Sequence, residues 1–210
     1  MLLTLIRYDI IRTLRRGFSV VTPLLFFTMI ICLFPFAIGD NARLIAPGII
    51  WVAALLAVLL SIDTLFTKEW ETGCLDHLLL SPYSLTQLVS IKLLSHWITY
   101  SLPLIIISPV LGLLLHLPPP VIKTLMITLL LGTPVLTLFG ALGAALMIGI
   151  RENSVLLPIL ILPFYIPVLI FGTSAITTPG SLPLLGALLL FSIATLPFLI
   201  TQALKIGVDT

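Results

Sequence analysis

A series of uncharged apolar runs, each long enough to cross a bilayer, constrains this chain more than any other feature. They fall at about residues 20–39, 44–66, 93–115, 124–150, 154–178 and 182–204, and Asp63 and His96 are the only acidic, basic or imidazole side chains inside them. A helix crossing the hydrocarbon core needs about 20 mostly apolar residues, against about 10 for a barrel strand. Lipid offers the backbone no hydrogen-bond partners, so only helices and closed barrels span it, and runs of this length select helices. The 210 residues are 60% hydrophobic and 9% charged, with a mean hydropathy of +1.28; an ordinary soluble domain carries roughly 25% charged residues. At about 20 residues per span, about six crossings use up the chain. The expected fold is therefore an all-α membrane protein of one domain, residues 1–210, with no room for a soluble catalytic domain. A formal net charge of +2 is too small to imply nucleic acid as a partner.

Basic residues set the expected orientation. Arg7, Arg12, Arg15, Arg16, Lys68, Lys92, Arg151 and Lys205 fall on the side of the N-terminus, and only Arg43 and Lys123 fall on the other. The positive-inside rule then places both termini in the cytosol. The basic N-terminus followed by an apolar run superficially resembles a signal peptide, but the run at 20–39 is long enough to span and no A-x-A-like site follows it. Cys32 then lies in the outer half of the first span and Cys74 in a cytosolic loop. A disulfide needs Cα atoms within about 7 Å, so none is expected.

Within the spans, proline and small residues carry the remaining signal. Pro118, Pro119 and Pro120 are expected to form the outer turn between the third and fourth spans, because proline cannot continue a helix. The stretch 177–183 serves as the turn between the fifth and sixth. Gly140, Ala141, Ala144 and Ala145 give the fourth span a small-residue stripe that lets helix backbones approach. Internal packing is the first reading of that stripe and a subunit interface the second. Pro158, Pro163 and Pro167 each remove a backbone donor from the fifth span, which is expected to bend or break there, either as a simple kink or as a moving gate.

Two segments outside the spans have helical amphipathicity. In residues 1–16, Leu3, Ile6, Ile10 and Leu14 share one face while Arg12, Arg15 and Arg16 lie opposite, as expected of an interfacial helix on the cytosolic leaflet. A plain extension of the first span is the alternative. The longest loop, 67–92, reads TKEWETGCLDHLLLSPYSLTQLVSIK. On a helical wheel Glu69, Thr72 and Asp76 share one face, and Trp70, Cys74 and Leu78 the other. A short helix over 68–80 follows, stopped at Ser81-Pro82, with Gly73 inside it at a cost of roughly 1 kcal/mol relative to alanine. Close approach of a soluble partner to the backbone would account for that glycine. Glu69, Trp70, Gly73, Asp76, Leu78 and Pro82 are thus the candidate docking surface, and a solvated loop with its apolar side on lipid headgroups is the alternative.

Motifs for chemistry are missing from the sequence. It contains no G-x-x-x-x-G-K-[ST] phosphate loop, no H-E-x-x-H, no C-x-x-C and no G-x-S-x-G, and no two histidines stand at metal-ligand spacing. An enzyme is not expected, nor a cofactor held by this chain. Asp63, near the cytosolic end of the second span, is the one carboxylate in the spans, so the midplane carboxylates of ion-coupled transporters are missing too. Energy, if used, is expected from another subunit.

Five segments carry a likeness to a known family: FPFAIGD, LIAPGIIWVAALLAVLLSIDTLF, EWETGCLDHLLLSPYSL, KLLSHWITYSLPLIIISP and TLLLGTPVLTLFGALGAAL. Together they resemble the cytochrome c maturation protein B family, the haem exporter permease, over nearly the whole chain. More loosely, Glu69, Gly73, Leu79, Pro82 and Lys92 resemble the cytosolic loop of type 2 ABC exporters, in which a coupling helix docks on the ATPase. The resemblance implies two copies of this permease with two of the A-subunit ATPase, joined by the haem-handling C subunit and a small D subunit. It implies ATP bound on the partner, haem handled by the complex, and ATP hydrolysis used in releasing the haem-loaded chaperone. It also implies a bacterial inner membrane, with the mitochondrial inner membrane as the alternative. The tryptophan-rich outer motif by which the C subunit is recognised is not present here.

Asp63 and His96 remain as a candidate intramembrane polar site. His96 stands beside Trp97 and Tyr100, and neutral imidazole is a good haem iron ligand. Its place one turn past Lys92 favours an interfacial structural role, since polar and aromatic residues collect there. His77 on the loop and His116 at an outer turn do not form a shared site with it. A channel without an ATPase and a non-transporting scaffold are the competing functional readings.

Overall fold

The computed structural model describes residues 18–39, 42–62, 65–66, 84–148 and 156–209. All regular structure among them is helical. Six helices follow in order: α1 Phe18–Ile38, α2 Ala42–Ile62, α3 Leu85–Leu114, α4 Pro119–Leu146, α5 Leu156–Thr177 and α6 Leu182–Asp209. Each is long and apolar enough to cross a membrane. The interfacial helix expected over 1–16, Asp63, and the whole candidate docking surface (Glu69, Trp70, Gly73, Asp76, Leu78 and Pro82) lie outside the described residues.

Two helix starts differ most from the hydropathy reading, and both follow from capping chemistry. α3 starts at Leu85, eight residues before the apolar run, because the Ser84 hydroxyl accepts the backbone N–H of Gln87 at 3.4 Å and caps the helix in its polar stretch. α4 starts at Pro119, inside the expected turn. Pro118 is extended at φ −68°, ψ 147° and caps the helix, and Pro119 and Pro120 occupy its first positions. A helix has no use for those N–H groups, so proline is favoured there and only excluded further in. The turn itself is made by His116 at φ +57°. Leu117 N–H donates to Gly112 O at 3.0 Å and His116 N–H to Leu113 O at 2.9 Å, the paired bonds of a Schellman ending with histidine in the left-handed position usually given to glycine. α5 runs on as one helix through Pro163 and Pro167, so no break interrupts it.

α4 is the central strut. It packs against α2, α3, α5 and α6, while α1 lies outside against α2 and α3. Its small residues make this possible: a Cβ on Gly132 would overlap the Trp51 ring of α2, one on Gly140 would strike Tyr165 and Ile62, and one on Gly143 would strike Ile161. Ala141 and Ala145 are fully buried beside them. The small-residue stripe thus serves internal packing. α1 shows the opposite face of the design, with Leu25, Met29, Leu33 and Phe36 exposed; in a bilayer these are solvated by acyl chains. Four hydroxyls inside the bundle, those of Ser61, Thr99, Ser108 and Thr137, each donate to a carbonyl three or four residues back, which removes the cost of an unpaired donor in lipid; the buried hydroxyls of Ser95 and Ser101 have no such partner.

Candidate functional site

Residues 67–83 lie in the sequence between α2 and α3, so the contacts that hold the end of α2 to the start of α3 flank them. Leu65 and Phe66 are buried where the chain leaves α2, and the Leu65 N–H donates to Ile62 O at 2.9 Å. The Lys92 ammonium of α3 stands 5.1 Å from the centre of the Phe66 ring, a cation–π contact.

One turn further along α3, His96 closes the gap to α2. It is 7% exposed, and its Nε2 lies 3.1 Å from Ser61 Oγ. The Ser61 hydroxyl also lies 2.7 Å from Val58 O, and which side chain donates between Ser61 and His96 depends on the imidazole tautomer. Tyr100 stacks on the ring at 4.4 Å between centroids. With one nitrogen bonded to Ser61 and the ring packed on Tyr100, His96 is a clasp between α2 and α3. Among the described residues no three His, Cys, Asp or Glu side chains gather closely enough to hold a metal ion. Asp63, its companion in the sequence reading, lies outside the described residues.

Directly after His96 the helix widens into a π-turn, Trp97–Ser101. Trp97 points its indole N–H at Thr133 Oγ1 of α4, 2.9 Å away. Consecutive residues therefore tie α3 to two different helices. A second indole does the same from α2, where Trp51 Nε1 donates to Thr128 Oγ1 of α4 at 3.3 Å. Sequence reasoning singled out His96 but neither Ser61 nor the two tryptophan–threonine pairs. Ser61 carried a signal, as a hydroxyl in the apolar run just before Asp63; the pairs, 77 and 36 residues apart, carried none.

This bundle has known relatives. Residues 1–207 match the family described as CcmB protein. The chain belongs to the CcmB protein family. It is 45% identical to Heme exporter protein B of Pseudomonas aeruginosa over 204 residues, 92% of each chain. To Heme exporter protein B of Haemophilus influenzae it is 41% identical, over 99% of this chain and 98% of the relative. The Paracoccus denitrificans protein of the same name is 43% identical, over 92% of this chain and 93% of its own length. The resemblance drawn from the five sequence segments is thereby borne out, and this CcmB-family chain is a multi-pass membrane protein of bacterial type.

Proposed function

We propose that this chain is the membrane-spanning permease subunit of an ABC-type complex in cytochrome c biogenesis. It is itself non-catalytic, and it couples ATP hydrolysis on a partner ATPase to haem delivery or to release of a haem-loaded chaperone. The observation that carries the reading is its match to Heme exporter protein B relatives over nearly their whole length. The bundle geometry supports a coupling role: α2 and α3, which flank residues 67–83 in the chain, are tied to each other through Ser61 and His96, and α3 to α4 through Trp97. A displacement of the start of α3 would be carried to α4 by the Trp97–Thr133 bond. The partners in this reading are the A-subunit ATPase, the C and D subunits and a second copy of this chain, within the inner membrane.

The test is genetic and biochemical together. A tagged copy of the chain, expressed in cells deleted for the native one, should restore haem-stained c-type cytochromes and co-purify with an ATPase. Full maturation without any ATPase partner would favour a channel and overturn the proposal. Full maturation with a hydrolysis-dead partner would reduce the chain to a scaffold.

A further inference from the structure

We infer that the π-turn Trp97–Ser101 is a one-residue switch in α3: it closes to an α-turn, and the segment Leu85–His96 turns and slides by one residue against the rest of the bundle. The signal that drives it rests on the coupling reading above.

The turn holds one residue more than an α-turn would, since the Leu102 N–H reaches back five residues to Trp97 O instead of four to Ile98 O. Pro103 explains its place: an α-turn would bond residue 103 to Thr99 O, and proline has no N–H to give. The open turn leaves a side chain unserved. Buried hydroxyls elsewhere in the bundle, among them those of Ser108, Thr137, Ser192 and Thr201, donate to a carbonyl three or four residues back. For Ser101 the carbonyl four back is that of Trp97, which the wider turn gives to Leu102. Ser101 is fully buried, and its hydroxyl and that of Ser95 are the only buried side-chain nitrogen or oxygen atoms among the described residues without a partner. Closing the turn brings Trp97 O under Ser101, where it can accept both the N–H and the hydroxyl of that residue.

Closure needs room beside the segment that moves. Narrowing the turn to α rotates Leu85–His96 by about 100° and moves it about 1.5 Å toward its Leu85 end, so that each residue takes the place of the one before it. In a close-packed interior the neighbours would block such a rotation. Here a cavity of about 460 Å³ between α3, α4 and α6 runs along the segment, lined from α3 by Ser90, Leu93, Leu94 and Trp97. Trp97 then comes to face Ser61, and His96 leaves it. The contacts of His96 with Ser61 and of Trp97 with Thr133 belong to one register and cannot be kept in the other, so the two arrangements are discrete.

Cysteine pairs read the register in membrane vesicles that hold the full complex. In a Cys32→Ser, Cys74→Ser background, Ser61→Cys is combined with His96→Cys in one protein and with Trp97→Cys in another. Each is treated with a short bifunctional thiol reagent, with and without ATP. Both pairs are expected to cross-link, with ATP raising the yield of one by at least about threefold and lowering that of the other. Ser101→Ala, which takes the hydroxyl bond from the closed turn, should shift the yields toward the His96 pair by about fivefold, the weight of one hydrogen bond. Deleting Ile98 shortens the turn to α and leaves every other residue on its present face. It should abolish the Trp97 cross-link and cytochrome maturation while the His96 cross-link stays. Cross-linking of the His96 pair alone in every condition would overturn the inference, as would yields unchanged in Ser101→Ala; both readouts use the full-length chain and stand even where the deletion does not fold. Normal maturation in a folded Ile98 deletion would overturn it too. Both pairs reacting in proportions that ATP does not alter would support the switch and sink the coupling reading.

Discussion

The hydroxyl oxygen of Tyr165 on α5 sits over Gly140 on α4, 2.6 Å from the place a Cβ on that glycine would take. From there it donates to the Leu136 carbonyl at 2.8 Å, so the missing side chain admits both a close approach and a hydrogen bond between helices. Gly140→Ala should destabilise the bundle by about 1–3 kcal/mol, as overpacking does. Tyr165→Phe should cost about 1 kcal/mol, the net worth of one hydrogen bond. The double variant should cost less than the sum, because the oxygen that the new methyl group would strike is gone, although Ile62 still presses on the same position. Thermal midpoints of the four detergent-solubilised proteins check this. Strict additivity would show that the two side chains do not share the space.

The His96–Ser61 clasp makes an asymmetric prediction. In His96→Ala the Ser61 hydroxyl keeps its bond to Val58 O, so little more than one hydrogen bond is lost, about 1 kcal/mol beyond packing. In Ser61→Ala the buried imidazole nitrogen loses its hydroxyl partner, a penalty of about 1–3 kcal/mol. Ser61→Ala should therefore lower the thermal midpoint at least as far as deletion of one hydrogen bond alone would. At matched protein level His96→Ala should leave haem content and cytochrome c maturation nearly intact. Loss of maturation with normal assembly would revive the imidazole as a haem ligand.

Hydropathy made the six spans legible, because a lipid-facing helix needs little more than length and apolarity. Their ends were less so, since caps and not hydropathy decide them: Ser84 starts α3 in a polar stretch, and Pro119 opens α4 where a turn was expected. The glycine and alanine stripe on α4 read correctly as packing, but its partners did not. Trp51, fully buried, fits between Gly132 and Gly172, which are 40 residues apart in the chain and on different helices. No local pattern pairs an indole with two distant glycines. His96 stood out as a lone imidazole in a span, yet its meaning lay in Ser61 on another helix.

Eight basic residues on one side against two on the other predict cytosolic termini by the positive-inside rule. Ser84 caps the start of α3 and the 3₁₀ turn Pro179–Ser181 joins α5 to α6, so the two positions should report opposite faces. A membrane-impermeant thiol reagent added from outside should label a cysteine replacing Gly180 in a Cys32→Ser, Cys74→Ser background, and should leave one replacing Ser84 unlabelled until the membrane is opened. The reverse pattern would invert the molecule and place the 67–83 segment out of reach of any cytosolic ATPase.

Residues 68–80 lie in the sequence between the two halves of the Ser61–His96 clasp. If residues 68–80 dock on a soluble ATPase, the glycine at 73 marks a close backbone contact, and Gly73→Leu should separate the subunits or uncouple hydrolysis from maturation. Glu69→Lys should also weaken docking, in a salt-dependent way if the contact is electrostatic; an apolar anchor through Trp70 and Leu78 would respond little to salt. A helix resting only on headgroups would absorb the leucine at small cost, so the substitution separates docking from membrane adsorption. Ser61→Ala, which like His96→Ala breaks the clasp without touching the surface of the segment, should leave co-purification of the ATPase intact. Normal co-purification and normal maturation in Gly73→Leu at matched expression would remove the docking assignment. Loss of co-purification in Ser61→Ala would instead move the contact surface down to the helix ends themselves.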